Sequence, residues 1–429
     1  LVLARVRGGA CLFAAILLLA ALASDSIASN CAGTSTGMIP LNDLGAGFYQ
    51  GHQGGLYPGG SNARPSAHEA AGLTIANAIG PLDTLGHPDP SGRVVLISIG
   101  MSNATQEFST FVPKAMNDPS RNPSLLVIDC AQGGQTAKDI ANPAAAFWDT
   151  VAARLRRRGS SPLQAQVVWY KEAERNPSGG FPAATDTFLW DMGRDIQLIH
   201  QKLPNVRLCY ITSRIYAGYA SSTLNPEPYA YECGFAVKWL IEGQITGVDS
   251  LNFDPDSGAV QVPWLAWGPY LWADGLNARS DGLTWTCDEF ITNDGTHPSA
   301  SGREVVADSL LAFFESDATT TPWFSNHTLG VPRAGGDEVR FSVAPNPASG
   351  EASLAFRAPA AETWSLRILD VAGRRVRRLA SGPGNGGTIT VSWDGRSDSG
   401  DRVRNGLYWA RLDIGSRVIT RPLVRIGAR

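Results

Sequence analysis

Val94-Val95-Leu96-Ile97-Ser98-Ile99-Gly100-Met101-Ser102-Asn103 carries the reading of the fold. Six residues rich in β-branched side chains form one compact apolar run, a buried strand, and it stops at a glycine beside a serine. From Arg93 onward such runs alternate with amphipathic segments, the arrangement that builds a parallel sheet covered by helices on both faces. Leu125 to Ile128, Gln166 to Tyr170 and Val206 to Ile211 read as the next three strands. Helices are expected over Ala144 to Arg158, over Thr185 to Leu203 and from Ala300 to about Phe314, with another over Ala67 to Ala78 at the sheet edge. In open sheets of this kind ligands lie beyond the carboxyl ends of the strands, so the residues just after each run are the candidates for chemistry.

Gly100-Met101-Ser102-Asn103 places a serine on a tight turn between a strand and a helix-prone segment. A serine hydroxyl is a poor nucleophile until a base takes its proton, and a neighbouring glycine lets backbone amides approach an oxyanion. Near the end of the same domain stands Asp294-Gly295-Thr296-His297-Pro298-Ser299. An acid three residues before a histidine can hold the imidazole by one nitrogen and direct the other at a hydroxyl. The chain has no HExxH pattern and no further histidines near this pair, so neither a metal nor an organic cofactor is expected.

These two motifs resemble the SGNH/GDSL hydrolases over roughly Arg93 to Glu315. The Gly-Met-Ser-Asn turn is similar to the Gly-Gln-Ser-Asn variant found among carbohydrate acetylesterases, and the Asp294-x-x-His297 block matches. The resemblance implies an α/β, flavodoxin-like three-layer sandwich with a parallel sheet. It implies Ser102 as nucleophile, His297 as general base and Asp294 as the residue orienting it, with the Ser102 amide as one oxyanion donor. The family's second block supplies a glycine amide. Cys130-Ala131-Gln132-Gly133-Gly134-Gln135 fits that place, with Gly133 favoured over Gly134. The third block departs from the family: in Trp169-Tyr170-Lys171-Glu172-Ala173-Glu174 either Lys171 serves as a cationic donor or it pairs with Glu172 or Glu174. Asn103, beside the nucleophile, is a candidate substrate contact.

Residues 225–293 interleave prolines with Trp264, Trp267, Tyr270, Trp272 and Trp285 and read as a large insertion. Its rings offer either a sugar-stacking platform, with Trp264 and Trp267 as substrate contacts, or a small core of their own.

Beyond a linker at 319–337, short alternating strands punctuated by Gly, Asn and Asp turns indicate a small all-β, immunoglobulin-like sandwich over 338–429. The run from Arg374 to Arg378 reads as one solvated hairpin face. Pro345-Asn346-Pro347, Leu369-Asp370-Val371-Ala372-Gly373-Arg374, Trp393-Asp394-Gly395 and Asn405-Gly406-Leu407-Tyr408 resemble the flagellar hook-cap immunoglobulin-like domain and the C-terminal sorting domain of type IX secretion. That resemblance implies an outer-membraned bacterium and the secretion machinery or cell envelope as partner.

At the other end, Arg5 and Arg7, an apolar run from Ala10 to Ala23 and a polar stretch to Asn30 form a signal-peptide pattern over 1–30, leaving a hydrolase domain at 31–318. Export places the remaining cysteines in an oxidising compartment, where Cys209, Cys233 and Cys287 could supply one disulfide and Cys130 reads as a core thiol. With 17% charged residues and a formal charge of −3, the chain lacks the basic footprint of a nucleic-acid binder. The expected protein is a secreted or cell-surface serine esterase acting on an acyl, chiefly acetyl, ester of a carbohydrate. Two alternatives share the scaffold: an O-acyltransferase using the same triad, and an inactive glycan-binding or adhesive protein.

Overall fold

The computed structural model describes residues 28–326, 341–346, 348–360, 362–370, 375–415 and 417–425. The signal-peptide pattern up to residue 27 and the linker from 327 lie outside them. The chain divides into two units after residue 328.

The first unit is built on five parallel strands: β1 (Val94–Gly100), β2 (Leu125–Ile128), β3 (Ala165–Lys171), β4 (Leu208–Ile211) and β5 (Trp264–Trp267), in the order β2-β1-β3-β4-β5. Every residue of the central pair β1 and β3 is buried, as expected for strands covered by helices on both faces. The covering helices are α1 (Ser66–Ala78), α2 (Ser102–Asn117), α3 (Ala146–Arg157), α4 (Ala183–Lys202), α5 (Tyr229–Ile245), α6 (Ala300–Ser316) and the single turn α7 (Thr321–Phe324). Because β2 and β3 lie on opposite sides of β1, the connections leaving β1 and β2 diverge. A crevice opens at the carboxyl ends of β1 and β3, where this strand order places ligands.

Residues 225–293 are not an insertion. They contain α5 and β5, the fourth crossover and fifth strand of the sheet. Twelve residues of α5 are buried, on all sides of the helix, which removes the one-sided periodicity that marks a helix in sequence. Trp264, Trp272 and Trp285 are fully buried. The aromatic cluster therefore belongs to the main core. The linker also begins later than 319: Thr319, Thr320, Trp323 and Phe324 are buried in the first unit, and Tyr210 donates its hydroxyl to the Thr319 carbonyl at 2.8 Å.

Among the described residues the second unit contains seven antiparallel strands: β6 (Phe341–Ala344), β7 (Ala352–Arg357), β8 (Thr363–Leu369), β9 (Arg375–Pro383), β10 (Thr388–Trp393), β11 (Gly406–Ile414) and β12 (Arg417–Arg425). They form two sheets, β9-β8-β11-β12 and β10-β7-β6. Alternate residues Leu354 and Phe356 of β7 and Leu366 and Ile368 of β8 enter its core beside Trp393 and Leu412. The basic run sits largely on β9, hairpinned to β8, with Arg375 and Arg378 exposed.

Candidate active site

Gly100 ends β1 where the chain runs against β3. A Cβ built on it would stand 2.1 Å from the Lys171 carbonyl oxygen, so only glycine allows the approach. Met101 then caps α2 and Ser102 is its first residue. The Ser102 amide is one of the leading helix N–H groups that have no partner within the helix, and the helix dipole favours negative charge there.

The turn after β2 is pinned to β1: Ser98 Oγ accepts from the amides of Cys130 at 2.9 Å and Ala131 at 3.1 Å, and Gln132 N donates to the Gly100 carbonyl at 2.8 Å. This brings Gly133 against Ser102, where an added Cβ would stand 3.8 Å from Ser102 Cβ. Gly134, at φ +78°, lines the cleft beside it.

The third component arrives on the loop before α6. Asp294 Oδ1 accepts from the amides of Thr296 at 2.8 Å and His297 at 3.0 Å, and its Oδ2 lies 2.6 Å from His297 Nδ1. Gly295, at φ +60°, lets this loop press on the Tyr219 carbonyl, 1.9 Å from where a Cβ would be. Partial burial pushes the Asp294 carboxyl up, but the hydrogen bonds from His297 and Thr296 outweigh it and hold the group below its ordinary value. An ionised carboxylate only accepts, so Nδ1 carries the imidazole proton and the Nε2 lone pair faces Ser102 Oγ, 2.8 Å away. Ser102, His297 and Asp294 thus form one continuous hydrogen-bonded chain at the crevice. On the surface Lys114 of α2 pairs with Glu304 at 2.6 Å and Asp308 at 2.7 Å of α6, bracing the helices that follow the two motifs.

Two sets of expected contacts are corrected: Lys171, and the pair Trp264 and Trp267. Lys171 does not face the cleft: its Nζ lies 2.8 and 2.7 Å from the two carboxylate oxygens of Glu107 on α2, and both side chains are fully buried. Burial pushes the Lys171 ammonium down to about 8 against the pull of Glu107. Its partner is neither Glu172 nor Glu174, because the last residue of β3 points into the layer between sheet and α2. Trp264 and Trp267 are buried core residues of β5, and their indole N–H groups are spent on the carbonyls of His68 and Leu56. Asn103 does line the cleft, but its side-chain amide donates to the Thr296 carbonyl at 3.1 Å, tying the start of α2 to the histidine loop. The disulfide is corrected as well: Cys31 joins Cys287, while Cys130, Cys209 and Cys233 are buried thiols.

The cleft also holds residues that the motifs did not mark: Glu174, Arg214 and Asn225. Arg214 follows β4 by three residues, so its position beyond a strand end was the available signal. Burial pushes the Glu174 carboxyl up to about 7.

Residues 334–413 match the FlgD Ig-like domain family. No curated protein matches the chain. Among solved structures, latent PorU from Porphyromonas gingivalis is 22% identical over 22% of this chain and 10% of its own, with a TM-score of 0.20. FlgD from P. aeruginosa is 26% identical over 19% of this chain and 62% of its own, with a TM-score of 0.15. The periplasmic domain of a lipopolysaccharide acetyltransferase from Salmonella ser. Paratyphi A is 13% identical over 57% of this chain and 94% of its own, with a TM-score of 0.30. This chain therefore spans 10% of latent PorU and 62% of FlgD, while its second unit carries the FlgD Ig-like match.

Proposed function

We propose that the first unit is a serine ester hydrolase of the SGNH type, acting on acyl esters of carbohydrate through an acyl-serine intermediate. The observation that carries this reading is the chain Ser102 Oγ, His297 Nε2, His297 Nδ1, Asp294 Oδ2, with its two contacts at 2.8 and 2.6 Å. In that arrangement Ser102 Oγ attacks the ester carbonyl as its proton passes to Nε2. The Ser102 and Gly133 amides face the oxygen that becomes negative, and His297 returns the proton to the departing alcohol. Water, deprotonated by the same imidazole, then releases the acid and restores the serine.

The second unit, by its likeness to sorting and hook-cap domains, serves export or attachment at the envelope of an outer-membraned bacterium. The protein then works in the secreted or cell-surface compartment. Among the described residues no helix is long and apolar enough to cross a membrane.

The test is hydrolysis of p-nitrophenyl acetate and acetylated xylan by the protein and its Ser102→Ala variant, with a fluorophosphonate probe of Ser102. Serine-dependent release of acetate is the expected result. A folded protein that neither turns over nor takes the probe, yet binds glycan, would establish a binding protein instead. Transfer of acetyl to an added acceptor glycan in preference to water would make it an acyltransferase.

A further inference from the structure

Arg214 lines the cleft that holds Ser102 and His297, yet it is only 1% exposed. Its Nη1 rests 3.9 Å from the thioether sulfur of Met101, the residue before the nucleophile, and a thioether is a weak acceptor. Its Nε and Nη2 have no hydrogen-bond partner among the described residues. Guanidinium remains charged under all ordinary conditions, so this is a desolvated cation without a counter-ion in contact.

Among the described residues none of the acidic groups around it is ion-paired with it. Glu172, fully buried, accepts only from the Ala173 amide at 3.2 Å, and burial pushes its carboxyl up toward the neutral form. Glu107 is held by Lys171, and Asp294 by His297 and two amides. Glu227 accepts from Trp272 Nε1 and the amides of Ala217 and Tyr231, and burial pushes its carboxyl up to about 7. Cys233 is a buried thiol whose ionisation burial opposes. An uncompensated buried charge costs stability, so its place beside a reacting group calls for an anion that is present only part of the time.

Resting on the hydrolase reading, we propose that Arg214 supplies the positive charge that stabilises the tetrahedral oxyanion formed when Ser102 attacks its ester. As the Ser102 Oγ to carbon bond forms, the carbonyl π pair moves to oxygen and the hydroxyl proton moves to His297. The negative charge collapses back when the alcohol leaves. With Lys171 neutralised by Glu107, and Arg175 of the cleft wall half-exposed and paired with Asp139 at 3.4 Å, Arg214 is the buried cationic side chain left to meet that charge beside the two backbone amides. A preorganised cation in a water-poor site acts strongly on charge that develops there and weakly on a neutral ground state.

The experiment compares the full chain with Arg214→Met and Arg214→Lys. It reads kcat and KM on p-nitrophenyl acetate, affinity for phenylboronic acid, which becomes a tetrahedral anion on serine, and thermal unfolding. Arg214→Met should lower kcat by about 10²–10³-fold with little change in KM, and weaken the boronate comparably. Its unfolding temperature should hold or rise, because a buried unpaired charge is gone. Arg214→Lys, which keeps the charge, should recover part of kcat.

The proposal is overturned if kcat is unchanged in Arg214→Met, or if that variant unfolds or loses stability in step with activity, which would make the guanidinium a structural group. A defect confined to KM for an ester bearing a carboxylate, such as p-nitrophenyl hemisuccinate, would also overturn it by making Arg214 a substrate-anion receptor. Inactive wild-type protein removes the hydrolase reading and this inference together. Active wild-type protein with an indifferent Arg214→Met removes the inference alone.

Discussion

Lys171 Nζ and Glu107 Oε2 lie 2.7 Å apart with both side chains at zero exposure, joining the end of β3 to α2, the helix that begins at Ser102. Removing one member leaves the other charged and unpaired in the core. Lys171→Met should therefore cost about 3–5 kcal/mol in denaturant unfolding, while Lys171→Met combined with Glu107→Leu should recover much of that loss. The double variant should also keep its esterase activity, because neither side chain faces substrate. Loss of activity in a stable double variant would return Lys171 to the oxyanion site.

Asp294 engages three donors through two oxygens, so it both shapes the loop and orients the imidazole. Asp294→Asn should keep the loop folded but offer an amide that can turn its donor toward Nδ1, allowing the wrong tautomer. A drop in kcat on the order of 10³–10⁴-fold is expected, with KM little changed. Because the folded-state carboxyl is held below its ordinary value, its contribution to stability is complete above the unfolded value. It is lost as pH falls through the folded one, so the gap in unfolding free energy between wild type and Asp294→Asn should close toward acid. A gap that is constant down to strongly acidic pH would contradict this.

Much of the first unit was legible because its strands are short apolar runs ending at glycine or charge: Leu125–Ile128 falls where the sequence puts it, and Val94–Gly100 is longer by one residue. The same reading failed at β5. Trp-Leu-Ala-Trp lies between Pro263 and Pro269, and prolines interleaved with aromatics resemble loop punctuation, while the helix before it is buried all round and loses its periodicity. In the second unit arginine and proline mask the alternation of β9 and β12, and β9 shows in the sequence as the charged hairpin face at Arg374 to Arg378. At the site, Ser102, Asp294 and His297 announce themselves by local motifs. Arg214 and the Lys171–Glu107 pair depend on contacts across more than sixty residues, 64 positions for the latter, and no local spacing encodes them.

Glu174 lines the cleft, and burial pushes its carboxyl up to about 7, opposed by the Lys138 amide and reinforced by Asp191 and Asp139. Its folded-state value lies above the unfolded one, so the native state binds the extra proton between about 4.5 and 7. Stability should fall as pH rises through that window, and Glu174→Gln should flatten the slope. Above pH 7 the cleft gains a negative charge, so KM for an anionic ester should climb with pH in the wild type and stay level in Glu174→Gln. Parallel KM profiles for the two proteins would count against ionisation of Glu174 in the cleft.

Cys31 and Cys287 close a loop across 256 positions, and both ends abut the loop that carries Asp294 and His297. Beside Cys31, Ser29 N donates to the Thr292 carbonyl and Asn30 N to that of Tyr219, the carbonyl on which Gly295 rests. On the other side Cys287 begins the turn whose Glu289 carbonyl accepts Ser299 N, just beyond His297. The bridge therefore clamps the chain that presents Asp294 and His297. Cys31→Ser with Cys287→Ser should cost about 2–4 kcal/mol of stability. Esterase activity should be lost at a lower temperature than far-UV ellipticity, because local opening of the loop precedes global unfolding. Coincident loss of both signals, at the wild-type temperature, would mean that the Ser29–Cys31 segment and the loop are held without the bridge.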